Sequence, residues 1–144
     1  MPIYKTISVN TRYQNLIDFS QLTKLRLSIS IVLSSIAGYF LAVEEINYYS
    51  LVLLIVGGFS MVGASNVFNQ IFEKDLDKKM LRTQNRPLPD NRIQPKTAMY
   101  IGVILTLIGV VCLYLINLKT AFFASISTFL YACLYTPLKQ KTPL

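Results

Sequence analysis

The stretch YSLVLLIVGGFSMVGASNVFNQIFEKDLD, Tyr49 to Asp77, decides the fold of this chain. From Tyr49 to Phe72 it is a largely apolar run of membrane length, and beyond Phe72 it turns abruptly to charge. Such a run is expected to be a helix, because the bilayer core offers no water to the backbone and a helix pairs its own N–H and C=O groups. Gly57, Gly58, Gly63, Ala64 and Ser65 cluster towards its end. Small residues let helices approach closely in lipid, so this segment is expected inside a bundle rather than against acyl chains. Asn69, Glu73 and Asp77 then follow at i, i+4 and i+8. On an α-helix such positions advance by only roughly 40° per step, so the three oxygen-bearing side chains share one face where membrane gives way to water.

Working outward, three more apolar runs flank this one, each close to the ~20 residues a helix needs to cross the hydrocarbon core. The 144 residues therefore read as one all-α, polytopic transmembrane helix bundle. Its spans lie at about 25–43, 49–72, 97–116 and 120–138, with a charged loop at 73–96. Lys24 and Arg26 mark the start of the first span. Residues 1–22 are polar and mixed, without an apolar core leading to a small-residue cleavage site, so no cleaved signal peptide is expected. No repeat, low-complexity tract or soluble domain stands out.

Composition excludes several function classes. Hydrophobic residues make up 53% and charged residues 15%, and the charges are clustered, unlike the evenly charged surface of a soluble globule. A net charge of +7 could serve nucleic acid, but a basic groove would then have to sit beside four lipid-length segments. An excess of Lys and Arg in cytoplasmic loops accounts for it more simply. The loop from Glu73 to Lys96 carries seven basic residues, and the turn near Glu44 and Glu45 carries none. Both termini and the 73–96 loop are thus expected on the cytoplasmic side of a bacterial-like inner membrane. The absence of histidine removes the common zinc sites, the Ser-His-Asp triad and His-ligated haem. Cys112 and Cys133 lie inside apolar runs and read as inert small residues, with neither a disulfide framework nor metal-site spacing. Chemistry is left to carboxylates, amides, tyrosines and cations.

The acidic column suits a magnesium–diphosphate. Mg²⁺ takes hard oxygen ligands and is commonly held by one or two carboxylates plus substrate phosphates. Glu73 and Asp77 can supply the carboxylates, and Asn69 a neutral oxygen or a hold on a bound water. Asp75 projects from another side of a regular helix and ranks below them. Arg82 and Arg86 are again four apart and can fork onto phosphate oxygens. A metal set between carboxylates and diphosphate would spread the charge that builds on a leaving pyrophosphate. The plainer alternative is a cytoplasmic loop whose acids and bases neutralise one another as i,i+4 pairs. Asn69, however, begins the column while the run is still apolar, where polar groups are costly and tend to be functional. From spacing alone the two readings stand about level. A second constellation, Tyr135-Thr136-Pro137-Leu138-Lys139, closes the fourth span on the same side. It reads equally as an aromatic belt residue, a helix-ending proline and a snorkelling lysine. Arg26 can likewise be an interfacial anchor.

At these residues the chain resembles the UbiA-type intramembrane prenyltransferases, and within them the protoheme IX farnesyltransferase (haem O synthase) branch. Asn69-xxx-Glu73-xxx-Asp77 resembles the family's first acidic signature, Asn-xxx-Asp-xxx-Asp, with Glu73 in place of the more usual Asp. RTQNRPLP, Arg82 to Pro89, is similar to the family's Arg-Thr-x-x-Arg-Pro-Leu run. LTKLR, Leu22 to Arg26, resembles Leu-Thr-Lys-Pro-Arg with Leu25 replacing proline, and YTPLK, Tyr135 to Lys139, matches the ending of the fourth helix. The resemblance implies Mg²⁺-dependent transfer of a farnesyl group from farnesyl diphosphate to the vinyl group of haem b, giving haem O and pyrophosphate. It also implies that Asn69, Glu73 and Asp77 hold magnesium at the catalytic centre. Arg82 and Arg86 would bind diphosphate, with Lys139, Tyr135 and Arg26 lining the same pocket, and apolar walls between helices would receive the farnesyl tail and the porphyrin.

Members of that family have about nine transmembrane helices and a second acidic motif in the later half, whereas this sequence stops at Leu144. The resemblance therefore implies an N-terminal half, inactive or nearly so by itself, completed by the missing C-terminal half. Two alternatives remain open. One is a family member that prenylates a quinone precursor or a chlorophyll-like ring. The other is a non-enzymatic four-span protein that binds divalent cations or anionic lipid. A transporter fits less well, because the polar groups sit at one end of the spans rather than near the bilayer midplane.

Overall fold

A computed structural model describes residues 11–136 and 138 of the chain, with side chains from Tyr13 onward. Its regular elements are all helices: α1 (Thr11–Leu22), α2 (Leu25–Ala42), α3 (Tyr48–Asp77), α4 (Pro95–Ile116) and α5 (Leu118–Phe129), the last continuing into a π-helical segment, Leu130–Tyr135. Among the described residues there is no strand, and four stretches are long and apolar enough to cross a membrane: Leu25–Ala42, Tyr48–Asp77, Pro95–Ile116 and Leu118–Tyr135. The expectation of an all-α membrane bundle is borne out.

The boundaries differ from the hydropathy reading in ways that local chemistry explains. Helix α3 does not stop at Phe72 but carries its charged residues on to Asp77. The last span opens at Leu118 because Asn117 caps it, its Oδ1 accepting from Thr120 N at 2.8 Å. Helix α4 opens on Pro95, whose missing N–H costs nothing in a first turn. Between α2 and α3 the chain reverses at Asn47, which caps α3 through Ser50 N. There Tyr39 Oη donates to the Asn47 carbonyl and accepts its N–H, at 3.1 and 3.0 Å.

Helix α3 is the central element. Of its membrane-length window 39% is buried, against 11–17% for the other three spans. It packs most extensively on α4, and also meets α1, α2 and α5. The α3–α4 contact is close because glycine lines it. A Cβ at Gly109 would lie 2.6 Å from Met61 Cγ, and one at Gly102 would lie 2.8 Å from the Phe68 ring. One apolar cluster joins Leu22, Val67, Leu88 and Ala98, and a second joins Met61, Leu113 and Ala121.

Polar residues of α3 do structural work at its far end. Gln70 Nε2 donates to the carbonyls of Gln21 (3.0 Å) and Leu22 (2.8 Å), and Asn66 Nδ2 to that of Thr23 (3.2 Å). These carbonyls lie where α1 ends, and those of Gln21 and Thr23 have a further donor, Lys24 N and the Ser28 hydroxyl respectively. The α1–α2 junction turns on Lys24, held left-handed at φ 49°.

Candidate functional site

Because α3 runs unbroken to Asp77, Asn69, Glu73 and Asp77 stand on one helix as their spacing requires, and Asp75 is exposed. Asn69 and Asp77 are buried, at 3% and 4% exposure, and Glu73 is half-buried. Burying such groups is unfavourable unless they are hydrogen-bonded, and their partners divide the column in two.

The deeper part ties α3 to the end of the last span. Asn69 Nδ2 donates to Glu73 Oε2 at 3.0 Å, and Asn69 Oδ1 accepts from the buried Thr136 hydroxyl at 2.8 Å. The shallower part ties α3 to the loop. Asp77 Oδ2 receives Arg86 Nη1 at 2.7 Å, and the Asp77 carbonyl accepts from Thr83 Oγ1 at 3.0 Å. This is the charge-assisted geometry of a guanidinium on a carboxylate, made across nine positions rather than by an i,i+4 pair.

The loop holds Arg86 there because the residues after it are anchored. Leu88 is fully buried between Leu22, Val67 and Ala98, with Pro87 and Pro89 buried on either side. Burying a leucine is worth roughly 1.5–3 kcal/mol, and flanking prolines hold φ fixed. A second anchor is Arg92, which pairs with the buried Asp18 of α1 and with Asp90, and donates to the Asn85 carbonyl. The RTQNRPLP motif is therefore a packed strap, with Thr83 and Arg86 turned to Asp77 and Leu88 turned to the core.

The remaining sequence candidates lie outside these hydrogen bonds. Arg82 is exposed. Arg26 is exposed in the first turn of α2 and lines a groove with Leu16, Ile17 and Lys24. Tyr135 is exposed and stacks on Tyr131, ring centroids 5.4 Å apart. Lys139 lies outside the described residues. Thr136 and Thr83, on which sequence reading placed no role, are the side chains that hold the column. Thr83 is beyond the reach of periodicity, and Thr136 sits next to the π-helical segment, which hydropathy does not register.

The donor set fits a hard divalent cation. Two carboxylates lie along one face, beside an arginine suited to phosphate, while the Asn69 amide is turned to Glu73 and Thr136, and Mg²⁺ commonly takes one or two carboxylates with phosphate oxygens and water. Among the described residues no three Asp, Glu, Cys or His side chains converge on one point. Beside the column, Met61, Phe68, Phe72, Met99, Leu107 and Phe129 line an apolar cleft of about 590 Å³ between α3, α4 and α5.

The sequence profile of the UbiA prenyltransferase family matches residues 31–144, most of the chain. The chain belongs to that family. Among UbiA-family relatives, it is 53% identical over 140 residues to a protein named protoheme IX farnesyltransferase from Christiangramia forsetii, covering 94% of this chain and 47% of the relative. It is 55% identical over 130 residues to one of that name from Flavobacterium psychrophilum, covering 88% and 43%. A third, from Flavobacterium johnsoniae, is 47% identical over 142 residues, covering 96% and 46%. The chain thus spans about half the length of these curated relatives. No solved structure matches it significantly. UbiA membership and four membrane-length helices make it a multi-pass membrane protein.

Proposed function

We propose that this chain carries the acidic diphosphate-binding motif of an intramembrane prenyltransferase that farnesylates the vinyl group of haem b to give haem O. The observation that carries this reading is the Asn69–Glu73–Asp77 column at the charged end of α3, with Asn69 and Asp77 buried and Arg86 on Asp77, in a chain 53% identical to a protein named protoheme IX farnesyltransferase.

In the reaction, the allylic C–O bond of farnesyl diphosphate breaks and pyrophosphate leaves with the bonding electrons. The vinyl π-electrons of haem b form the new C–C bond, and a water adds its oxygen to the cationic carbon left beside it, releasing one proton to the departing pyrophosphate or to solvent. Glu73 and Asp77 offer carboxylate oxygens for a metal on the diphosphate, and Arg86, beside Asp77, offers its remaining guanidinium N–H groups to the phosphate oxygens, with Arg82 from the same loop. The two carboxylates would hold a divalent cation such as Mg²⁺, which would supply charge neutralisation to the departing diphosphate. Asp77 and Arg86 hold one another in place before substrate arrives, which reduces the ordering needed at the moment of reaction. Apolar helix walls would shield the allylic carbon from water, and a cavity open sideways to lipid would suit two substrates that partition into the bilayer. By positive charge count, the column and strap face the cytoplasm of an inner membrane.

The test is an assay of the natural gene product in membranes with farnesyl diphosphate, haem b and Mg²⁺, and products read by mass spectrometry. Haem O is expected, and Asp77→Asn should reduce its rate by at least about 100-fold, as loss of a preorganised charge partner does. Farnesylated aromatic acids in place of haem O would overturn the choice of acceptor.

A further inference from the structure

We propose that Thr136 is a positioning residue for the acidic column: its hydroxyl sets the orientation of the Asn69 amide, and through that amide the Glu73 carboxylate. The inference rests on the prenyltransferase reading above but concerns a side chain that reading leaves without a role.

Thr136 is fully buried, and its Oγ lies 2.8 Å from Asn69 Oδ1 and 2.9 Å from the Tyr131 carbonyl. Both neighbours are acceptors, and a hydroxyl has one proton to give. The Tyr131 carbonyl already accepts the backbone N–H of Thr136, so the hydroxyl proton can go to Asn69. At its other end the Asn69 amide faces Glu73 Oε2 at 3.0 Å. An ionised carboxylate only accepts, so the NH₂ must point to Glu73 and the oxygen to Thr136. The amide is pinned from both sides in one of its two orientations.

The π-helical turn is what brings the hydroxyl to this place. Leu130–Tyr135 adopts the wider i→i+5 turn, and an α-helix continued through the same residues would direct the next side chain about 100° elsewhere. Such single turns recur at functional sites. Here it aims a side chain of the last span at a motif 67 positions earlier. Groups that orient ligands from behind usually contribute about 10- to 100-fold to metal affinity.

The experiment uses the natural gene product in lipid nanodiscs, with Mn²⁺ as probe, inorganic pyrophosphate as partner, and bound Mn²⁺ read by electron paramagnetic resonance. Thr136→Val keeps the shape and removes the hydroxyl. It is expected to weaken Mn²⁺ binding in the presence of pyrophosphate by roughly 10- to 100-fold. Thr136→Ser should recover most of that loss. In an Asn69→Ala background, Thr136→Val should add nothing further, because its effect passes through the amide. Wild-type affinity in Thr136→Val would overturn the proposal. So would independent losses in the double variant, a Thr136→Ser protein as weak as Thr136→Val, or a wild-type protein that binds no Mn²⁺ with pyrophosphate. A wild-type protein that binds Mn²⁺ and pyrophosphate, responds to Thr136 as stated and yet makes no haem O would sink the reaction assignment and leave Thr136 in its role.

Discussion

At the scale of single residues, polar side chains on α3 divide into those that hold the fold and those that form the site. Spacing alone cannot separate them. Asn66 and Gln70 interrupt an apolar span as visibly as Asn69 does, yet their amides are spent on carbonyls at Gln21, Leu22 and Thr23. Gln70→Leu would leave the Leu22 carbonyl at the end of α1 unpaired and the Gln21 carbonyl with only the long bond from Lys24 N. It should lower the unfolding free energy by about 1–3 kcal/mol, read as an earlier midpoint in detergent titration, with faster proteolysis between α1 and α2. An unchanged midpoint would show that water reaches these carbonyls. Asn69 differs because its partners are Glu73 and Thr136 rather than the backbone of a neighbouring helix end. The i, i+4, i+8 spacing of the column was legible, whereas the split between Glu73 and Asp77 was not. That split depends on where Thr136 and Arg86 arrive from elsewhere in the chain.

At the scale of elements, the α3–α4 pair sets the geometry of everything else. Small residues in α3 announced close packing, and α4 answers with Gly102 against Phe68 and Gly109 against Met61. Gly109→Val would drive new atoms into the Met61 side chain, and it would also approach the Met61 backbone N, which lies 3.1 Å from a Cβ at this position. Overpacking of this kind costs typically 1–3 kcal/mol. The thermal midpoint of the purified protein should fall accordingly, and Met61→Ala in the same chain should recover part of it. No recovery would mean that the backbone contact dominates. The loop is the element least visible to hydropathy. Residues 73–96 read as a charged loop, but the strap within it is fixed by Leu88 in the core and by Arg92 on Asp18.

At the scale of the whole molecule, the distribution of positive charge makes a topological prediction. In a protein with Cys112 and Cys133 replaced by Ser, a cysteine at Lys79 should react with an impermeant maleimide only after the cytoplasmic side is opened. One at Glu45 should react from the opposite side without opening. The reverse pattern would place the acidic column on the wrong face for a cytoplasmic diphosphate.

Length and hydropathy by themselves determined that this chain is a bundle of four membrane-length helices, because lipid permits little else for such runs. Helical periodicity determined that Asn69, Glu73 and Asp77 share a face, because side-chain direction within one helix is a local property. Only the tertiary structure decided which groups complete that face. Thr136 reaches Asn69 through the π turn, and Arg86 reaches Asp77 because Leu88 is buried beside it. Contacts between distant segments depend on packing and on hydrogen bonds that no pattern within a single helix encodes.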